Sequence, residues 1–358
     1  MAGLLFMMRL VSSGITKRGR SGGSELALVA LIIWGFVGSA IGRFGFGYNA
    51  NALAFFAPLL ILIVNLVSPV RLTTRVVLRG FAVVSAIYSL SAILVLIFNI
   101  QIAPDFQFRH QTAFFLVAGF GSALVLKARL LLLLHAVATA TCFAQYPALT
   151  YILLLVVAVV CTAYVCAPHR LRLPFLYVIA AAGLMIILGR SQLDGLRMAY
   201  FSTVGKGDNS STRETLFRIG VEKLRASPFW GNWFVENISV KAPDSITGGQ
   251  VLVPLHDDYL QLSVAGGLVF TTIFTVVLLW ICVRALHFSA STNRSPTWRI
   301  RNLYSLSTAS KARYVCAMSV LAIMVDAMVN PILIEPGAAL TLGVLLVAIF
   351  CLREKDDE

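Results

Sequence analysis

The chain has 358 residues, a length that in water implies about two domains. However, 58% of them are apolar and only 13% charged, with a mean hydropathy of +0.85, so an ordinary soluble enzyme is excluded and the bilayer is the expected solvent. The formal net charge of +13 is spread between apolar runs instead of gathered into one soluble stripe, which argues against nucleic acid and for cations that orient membrane spans.

Residues 1–24 read as a cytoplasmic tail or a helix lying on the membrane: the first apolar run is broken by Arg9 and followed by Lys17, Arg18 and Arg20, with no cleavage pattern. Ten apolar runs of about crossing length follow. Seven, over 25–41, 50–67, 76–100, 112–126, 129–146, 147–167 and 173–189, precede a long polar interruption; three, over 259–286, 314–333 and 337–352, come after it. The expected fold class is therefore an all-α polytopic integral membrane protein. Spans one to seven fall in 25–189, one large loop in 190–256, spans eight to ten in 257–352 and a short tail in 353–358. Tyr146-Pro147 reads as a turn or a kink between the fifth and sixth runs.

Orientation follows from the basic residues. With the N-terminus inside, nineteen of the 29 Lys and Arg residues fall on the cytoplasmic side and ten on the other. The positive-inside rule then puts both termini in the cytoplasm and the large loop outside, which in a bacterial inner membrane is the periplasm. The basic stretch over 284–313 reads as a retention signal or a contact with anionic lipid. All six cysteines, Cys142, Cys161, Cys166, Cys282, Cys316 and Cys351, lie within or at the ends of apolar runs, a pattern that indicates neither a disulfide framework nor a metal cluster.

The loop carries the chemistry-bearing residues. An amphipathic helix is predicted over 212–226, with Ser211 as its cap, Glu214 answering three residues later and Pro228 forbidding continuation. Leu216, Ile219, Gly220 and Leu224 share one face, and Arg218, Glu222 and Arg225 are displaced from it. Such a helix either lies on the membrane surface or caps the bundle with its charges in water. Gly248-Gly249 reads as a hinge, since no helix follows to make a phosphate loop. At the far end Pro254-Leu255-His256-Asp257-Asp258-Tyr259 runs straight into the eighth span. Within the ninth, Asp326 and Asn330 are one turn apart and either line a site, hold His256 in a chosen tautomer, or bond neighbouring helices. His135, alone in a Leu-rich run, reads as a structural histidine. Trp230, Trp233 and Tyr259 suit an interfacial belt, and their faces also suit sugar rings.

Taken together, Arg213 heading an amphipathic helix, the turn Pro228-Phe229-Trp230-Gly231, the motif His256-Asp257-Asp258-Tyr259-Leu260 and the following Gly266-Gly267 resemble the O-antigen ligase and polysaccharide polymerase superfamily of bacterial membrane glycosyltransferases. The resemblance implies an inverting transfer from a polyprenyl-pyrophosphate-linked glycan donor to a glycan or lipid acceptor, polymerisation being slightly favoured over ligation. It calls for neither a metal nor a cofactor. Other polysaccharide-assembly proteins and membrane lipids are the implied partners, and nucleic acid is not one. His256 is the implied catalytic base, because an imidazole with an ordinary pKa of about 6.5 accepts a hydroxyl proton near neutral pH. Asp257 or Asp258 would orient it, and Tyr259 would line the substrate. Arg213, seconded by Arg190 and Arg218, would hold the diphosphate, since a guanidinium fork meets two phosphate oxygens and stays charged. One departure stands out: where many relatives carry Ser-Arg-Gly at the outer start of a mid-chain span, this chain has Ala144-Gln145-Tyr146-Pro147-Ala148, so that either Arg190 or Arg43 substitutes, or donor binding differs, or this member is inactive. The rival expectation is a transporter or flippase of polyprenyl-linked or anionic substrates, which would show internal repeats and charges along a mid-membrane path.

Overall fold

The computed structural model describes residues 58, 61, 73–98, 113–145, 149–168, 170–175, 177–178, 210–234, 239–243, 250–255, 257–291, 301–328, 330, 332–333 and 336–351. In chain order these form α1 (Thr74–Phe98), α2 (Phe114–Val125), α3 (Arg129–Gln145), α4 (Leu149–Cys166), α5 (Ser210–Ala226), β1 (Ser239–Pro243), β2 (Gln250–Pro254), α6 (Asp258–Ser291), α7 (Arg301–Tyr304), α8 (Thr308–Asp326) and α9 (Pro336–Cys351). Helices therefore stand within two residues of the expected third to sixth and tenth runs. The eighth run also becomes a helix, extended five residues beyond its expected end. The first run, all of the second except Pro58 and Ile61, and all of the seventh except Leu173, Pro174, Phe175, Tyr177 and Val178 lie outside the described residues.

Among the described residues, three helices are long and apolar enough to cross a membrane: Thr74–Phe98, Asp258–Ala290 and Thr308–Asp326. Four more, Phe114–Val125, Arg129–Ala144, Thr150–Cys166 and Ala338–Phe350, are apolar but shorter. The 12 residues of α2 rise only about 18 Å.

The bundle is built around α8, which packs against α1, α2, α4, α6 and α9. Its sequence explains that central place. Ala309, Ala312, Ala317 and Ala322 are fully buried, and small side chains let helix backbones approach closely. The Tyr314 hydroxyl meets that of Thr162 on α4 at 2.6 Å, so one large buried residue has its polar end satisfied.

The ninth run needs a correction at both ends. The helix starts at Thr308, six residues before the expected Tyr314, because Ser307 caps it by accepting from the Ser310 N–H at 3.2 Å. It stops at Asp326 instead of Leu333, so Asn330 sits beyond the helix, not on its face.

Tight connections hold the shorter helices. Between α2 and α3, Lys127 adopts φ 57°, with the Lys127 N–H on Leu124 O and the Ala128 N–H on Ala123 O at 3.1 and 2.9 Å; this left-handed cap closes α2 and reverses the chain at once. At the end of α4, the carbonyls of Cys166 and Ala167 accept from Asn302 Nδ2 at 3.3 Å and Arg172 Nε at 3.1 Å, which satisfies terminal groups that the helix itself leaves open. His135 behaves as the sequence suggested: it is fully buried, its Nδ1 hydrogen-bonds Ser89 Oγ at 2.7 Å, and its ring fills the space beside Gly119.

The large loop contains an element the sequence reading did not place. β1 and β2 form a two-stranded antiparallel hairpin with Val240 opposite Val253 and Ala242 opposite Val251. Among the described residues the bundle is thus helical, with one small strand pair in the loop. Gly248-Gly249 belongs to the connection between the strands, outside the described residues.

Candidate functional site

The first turns of α6 gather four separate pieces of chain. Its start is fixed by Asp257, whose Oδ1 accepts the N–H groups of Tyr259 and Leu260 at 2.9 and 3.1 Å. A carboxylate in that position satisfies donors the helix leaves open and meets the positive end of its dipole. Asp257 therefore has a structural task besides the orienting role implied for it.

Asp258 is fully buried, at 0% exposure. Its N–H donates to Ala327 O at 2.9 Å, while its Oδ2 accepts the N–H groups of Ile332 and Leu333, each at 2.6 Å. The connection from α8 to α9 is thereby clamped onto the start of α6. Tyr259 adds a further tie by donating its hydroxyl to Met324 O at 3.0 Å. That bond turns the Tyr259 phenol toward α8.

Asp326 and Asn330 meet within the same connection. Asn330 Nδ2 donates to Asp326 Oδ1 at 2.6 Å and to Thr150 Oγ1 on α4 at 3.0 Å. Of the readings offered by the sequence, bonding between helices is what these contacts do. Thr150 gave no signal in the sequence, because a hydroxyl near the start of an apolar run is unremarkable until its partner is known.

Helix α5 packs across α6. Leu216 is buried, and a methyl group added at Gly220 would run into Leu260 and Leu255, so the apolar face read from the sequence is the one that docks. Phe217 and Arg218 are exposed. The helix begins at Ser210, which corrects the predicted start: Ser211 lies inside the first turn instead of capping it. Arg213 is in that first turn, with its side chain outside the described residues, and about 10 Å of helix separates it from Gly220. Leu255, which touches the Gly220 position, is the chain neighbour of His256. His256 and Arg190 themselves lie outside the described residues.

The turn after α5 is seated in a break of α6. At Gly267 the backbone leaves helical geometry, with φ 82° and ψ 167°. The Leu268 N–H donates to Pro228 O at 2.9 Å, while the carbonyls of Val264 and Ala265 accept from the N–H groups of Asn232 and Phe234 at 2.9 and 3.1 Å. The hydrogen bonds lost from the helix are thus replaced by those of the turn. Phe234 closes the joint edge-on against Phe270, ring centroids 5.4 Å apart. The motifs Pro228-Phe229-Trp230-Gly231 and Gly266-Gly267, separate in sequence, are two halves of one joint. From it Phe229 and Trp230 project, 61% and 50% exposed, and the indole of Trp230 lies parallel to that of Trp233 at 6.3 Å.

In comparison with known proteins, the chain matches no family model and no curated protein. What the apolar helices define is a class: a helical membrane protein whose loop elements are packed on the start of one long span. The particular activity within that class is a matter of inference from the residues.

Proposed function

We propose that the chain is a membrane glycosyltransferase of the O-antigen ligase or polysaccharide polymerase type, with about ten spans, both termini cytoplasmic, and its chemistry on the periplasmic side of a bacterial inner membrane. The observation that carries this reading is the packing of the loop elements: the helix headed by Arg213 and the strand leading to His256 come together at the start of α6 through Gly220, Leu255 and Leu260.

The level of these elements supports an interfacial reaction. Leu268, Ile273, Val276, Leu279, Trp280, Val283 and Phe288 are the exposed large apolar residues of α6, and from Leu268 to Phe288 a helix rises about 30 Å, the thickness of a hydrocarbon core. Arg284 and Arg313 stack on Trp280 and Phe288 at 5.1 and 4.1 Å, as suits one interface. The Phe229-Trp230 turn, bonded at Leu268, suits the other. The start of α6 then sits where a polyprenyl tail, its diphosphate and an aqueous sugar meet.

In the reaction the acceptor oxygen attacks the anomeric carbon, the bond from that carbon to the diphosphate oxygen breaks, and the configuration inverts. His256 takes the acceptor proton. Arg213, with Arg190 and Arg218, stabilises the charge that develops on the leaving diphosphate. Polymerisation of repeat units is placed ahead of ligation.

A broken helix is also a feature of transporters, where the freed backbone groups coordinate substrate. In α6 the groups freed at Gly267 are taken by the turn, which favours the enzyme over a flippase. The test is complementation of a null strain. The His256→Ala variant should insert in the membrane yet lower glycan assembly by about 100-fold or more, and Arg213→Ala should weaken use of donor. Full complementation by His256→Ala removes the catalytic assignment, and a reporter fusion placing His256 in the cytoplasm removes the reading altogether.

A further inference from the structure

Two buried carboxylates at the start of α6 each hold one oxygen that none of the described residues satisfies. Asp258 is 0% and Asp326 is 1% exposed. The Oδ1 of Asp258 and the Oδ2 of Asp326 are both buried without a hydrogen-bond partner, and two unpaired acceptors in one dry region are costly. The carboxylates are held by the same short connection. Asp326 ends α8 and bonds Asn330, while Asp258 takes the N–H groups of Ile332 and Leu333 and donates its own N–H to Ala327.

We propose that Asp258 and Asp326 bind one proton between them as a carboxyl–carboxylate pair. A single proton on Asp326 Oδ2, donated to Asp258 Oδ1, satisfies both orphaned oxygens at once and halves the buried charge. The donors around the pair decide which residue is the acid. Asp258 Oδ2 receives two backbone N–H groups, so Asp258 is the stabilised anion. Asp326 receives one amide N–H and carries the proton.

Among the described residues, no hydrogen bond from another titratable group reaches either orphaned oxygen. On α6, Asp257 is an acceptor taken up by the helix cap, and the Tyr259 hydroxyl is spent on Met324 O. On α8 the nearest other titratable side chains toward its start are Cys316, almost three turns away, and Tyr314, whose hydroxyl is bonded to Thr162; Arg313 and Lys311 lie further still. On α5, Arg218, Glu222 and Arg225 are exposed. On α4, Thr150 is bonded to Asn330, and Tyr151 follows it. His256 and Glu335 lie outside the described residues. The inference stands apart from glycosyl transfer and survives if that reading fails.

The measurement is infrared spectroscopy of the full chain in lipid nanodiscs at about pH 7, with hydrogen–deuterium exchange to assign carboxylic C=O bands. The wild type should show a protonated-carboxyl band that is absent from Asp326→Asn, where the amide supplies the missing N–H and the fold is kept. Asp258→Asn should lose the same band, because its amide then donates to an ionised Asp326. Glu222→Gln, at an exposed position, should retain it. The proposal is overturned if the wild type lacks the band or if it persists in Asp326→Asn. Disappearance of the band when sodium replaces choline at constant pH also overturns it, since an alkali cation would then hold the two oxygens. Should Asp258→Asn fail to fold, Asp326→Asn alone decides.

Discussion

The backbones of Gly231 and Gly267 cross so closely that neither position has room for a side chain. A Cβ on Gly231 would lie 2.5 Å from the Gly267 nitrogen, and one on Gly267 would strike the Phe229 carbonyl. Both residues also have positive φ, 64° and 82°, so conformation and space demand glycine together.

Gly267→Ala should therefore destabilise the protein by about 3 kcal/mol or more, combining backbone strain with a clash against a carbonyl that cannot move freely. Gly80→Ala is the opposite case. Nothing lies within 4 Å of its Cβ position, and within helix α1 the change should stabilise by about 0.5–1 kcal/mol. Thermal unfolding in one detergent, monitored for both variants, should give shifts of opposite sign.

Asp257→Ala removes the cap of α6 and should cost about 1 kcal/mol, whereas Asp257→Asn or Asp257→Ser should retain most of that stability. Equal losses in all three would show that the charge of Asp257, not its hydrogen bonds, is what the helix uses. Glycan assembly by the Asn variant, measured at matched protein levels, separates capping from an orienting role toward His256.

Asn330→Leu leaves both Asp326 Oδ1 and Thr150 Oγ1 without the amide that now joins them. A loss of about 1–3 kcal/mol for each stranded group is expected. Thr150→Val should be milder, since Asn330 keeps its bond to Asp326. The ranking can be read from unfolding midpoints of the three proteins.

Trp230 should report the depth of the turn. In a variant retaining Trp230 as the sole tryptophan, quenching should be strongest with lipids brominated near the headgroup end of the chain and weak with bromine near the chain terminus. Equal exposure to an aqueous quencher and none to either lipid would place the turn in water and remove the membrane register drawn along α6.

The sequence made the apolar helices legible because their signal is local: a run of leucine, valine and alanine becomes a helix in a bilayer or a bundle whatever surrounds it. The docking face of α5 was legible for the same reason, through Leu216 and Gly220. Its start was not, since several hydroxyl residues precede Glu214 and periodicity does not choose among them. The end of α8 was hidden because it depends on Asp258, more than sixty residues away, capturing the N–H groups of Ile332 and Leu333. The hairpin was missed because Ser239–Pro243 and Gln250–Pro254 are each five residues long, too short to display alternation. The joint between Pro228-Phe229-Trp230-Gly231 and Gly266-Gly267 was visible as two motifs but not as one object, because close crossing of backbones leaves only glycine in the sequence and does not name the partner.

The replacement of helical hydrogen bonds by those of the turn has a mechanical consequence. A break at Gly267 would ordinarily be a hinge, free to flex where its rungs are missing. With Asn232 and Phe234 filling those rungs and Leu268 bound to Pro228, the bend is locked at a fixed angle, and the loop cannot lift from α6 without opening three backbone bonds together. Any motion that admits a bulky chain to this side of the molecule must therefore begin elsewhere, with the bend travelling as one stiff bracket.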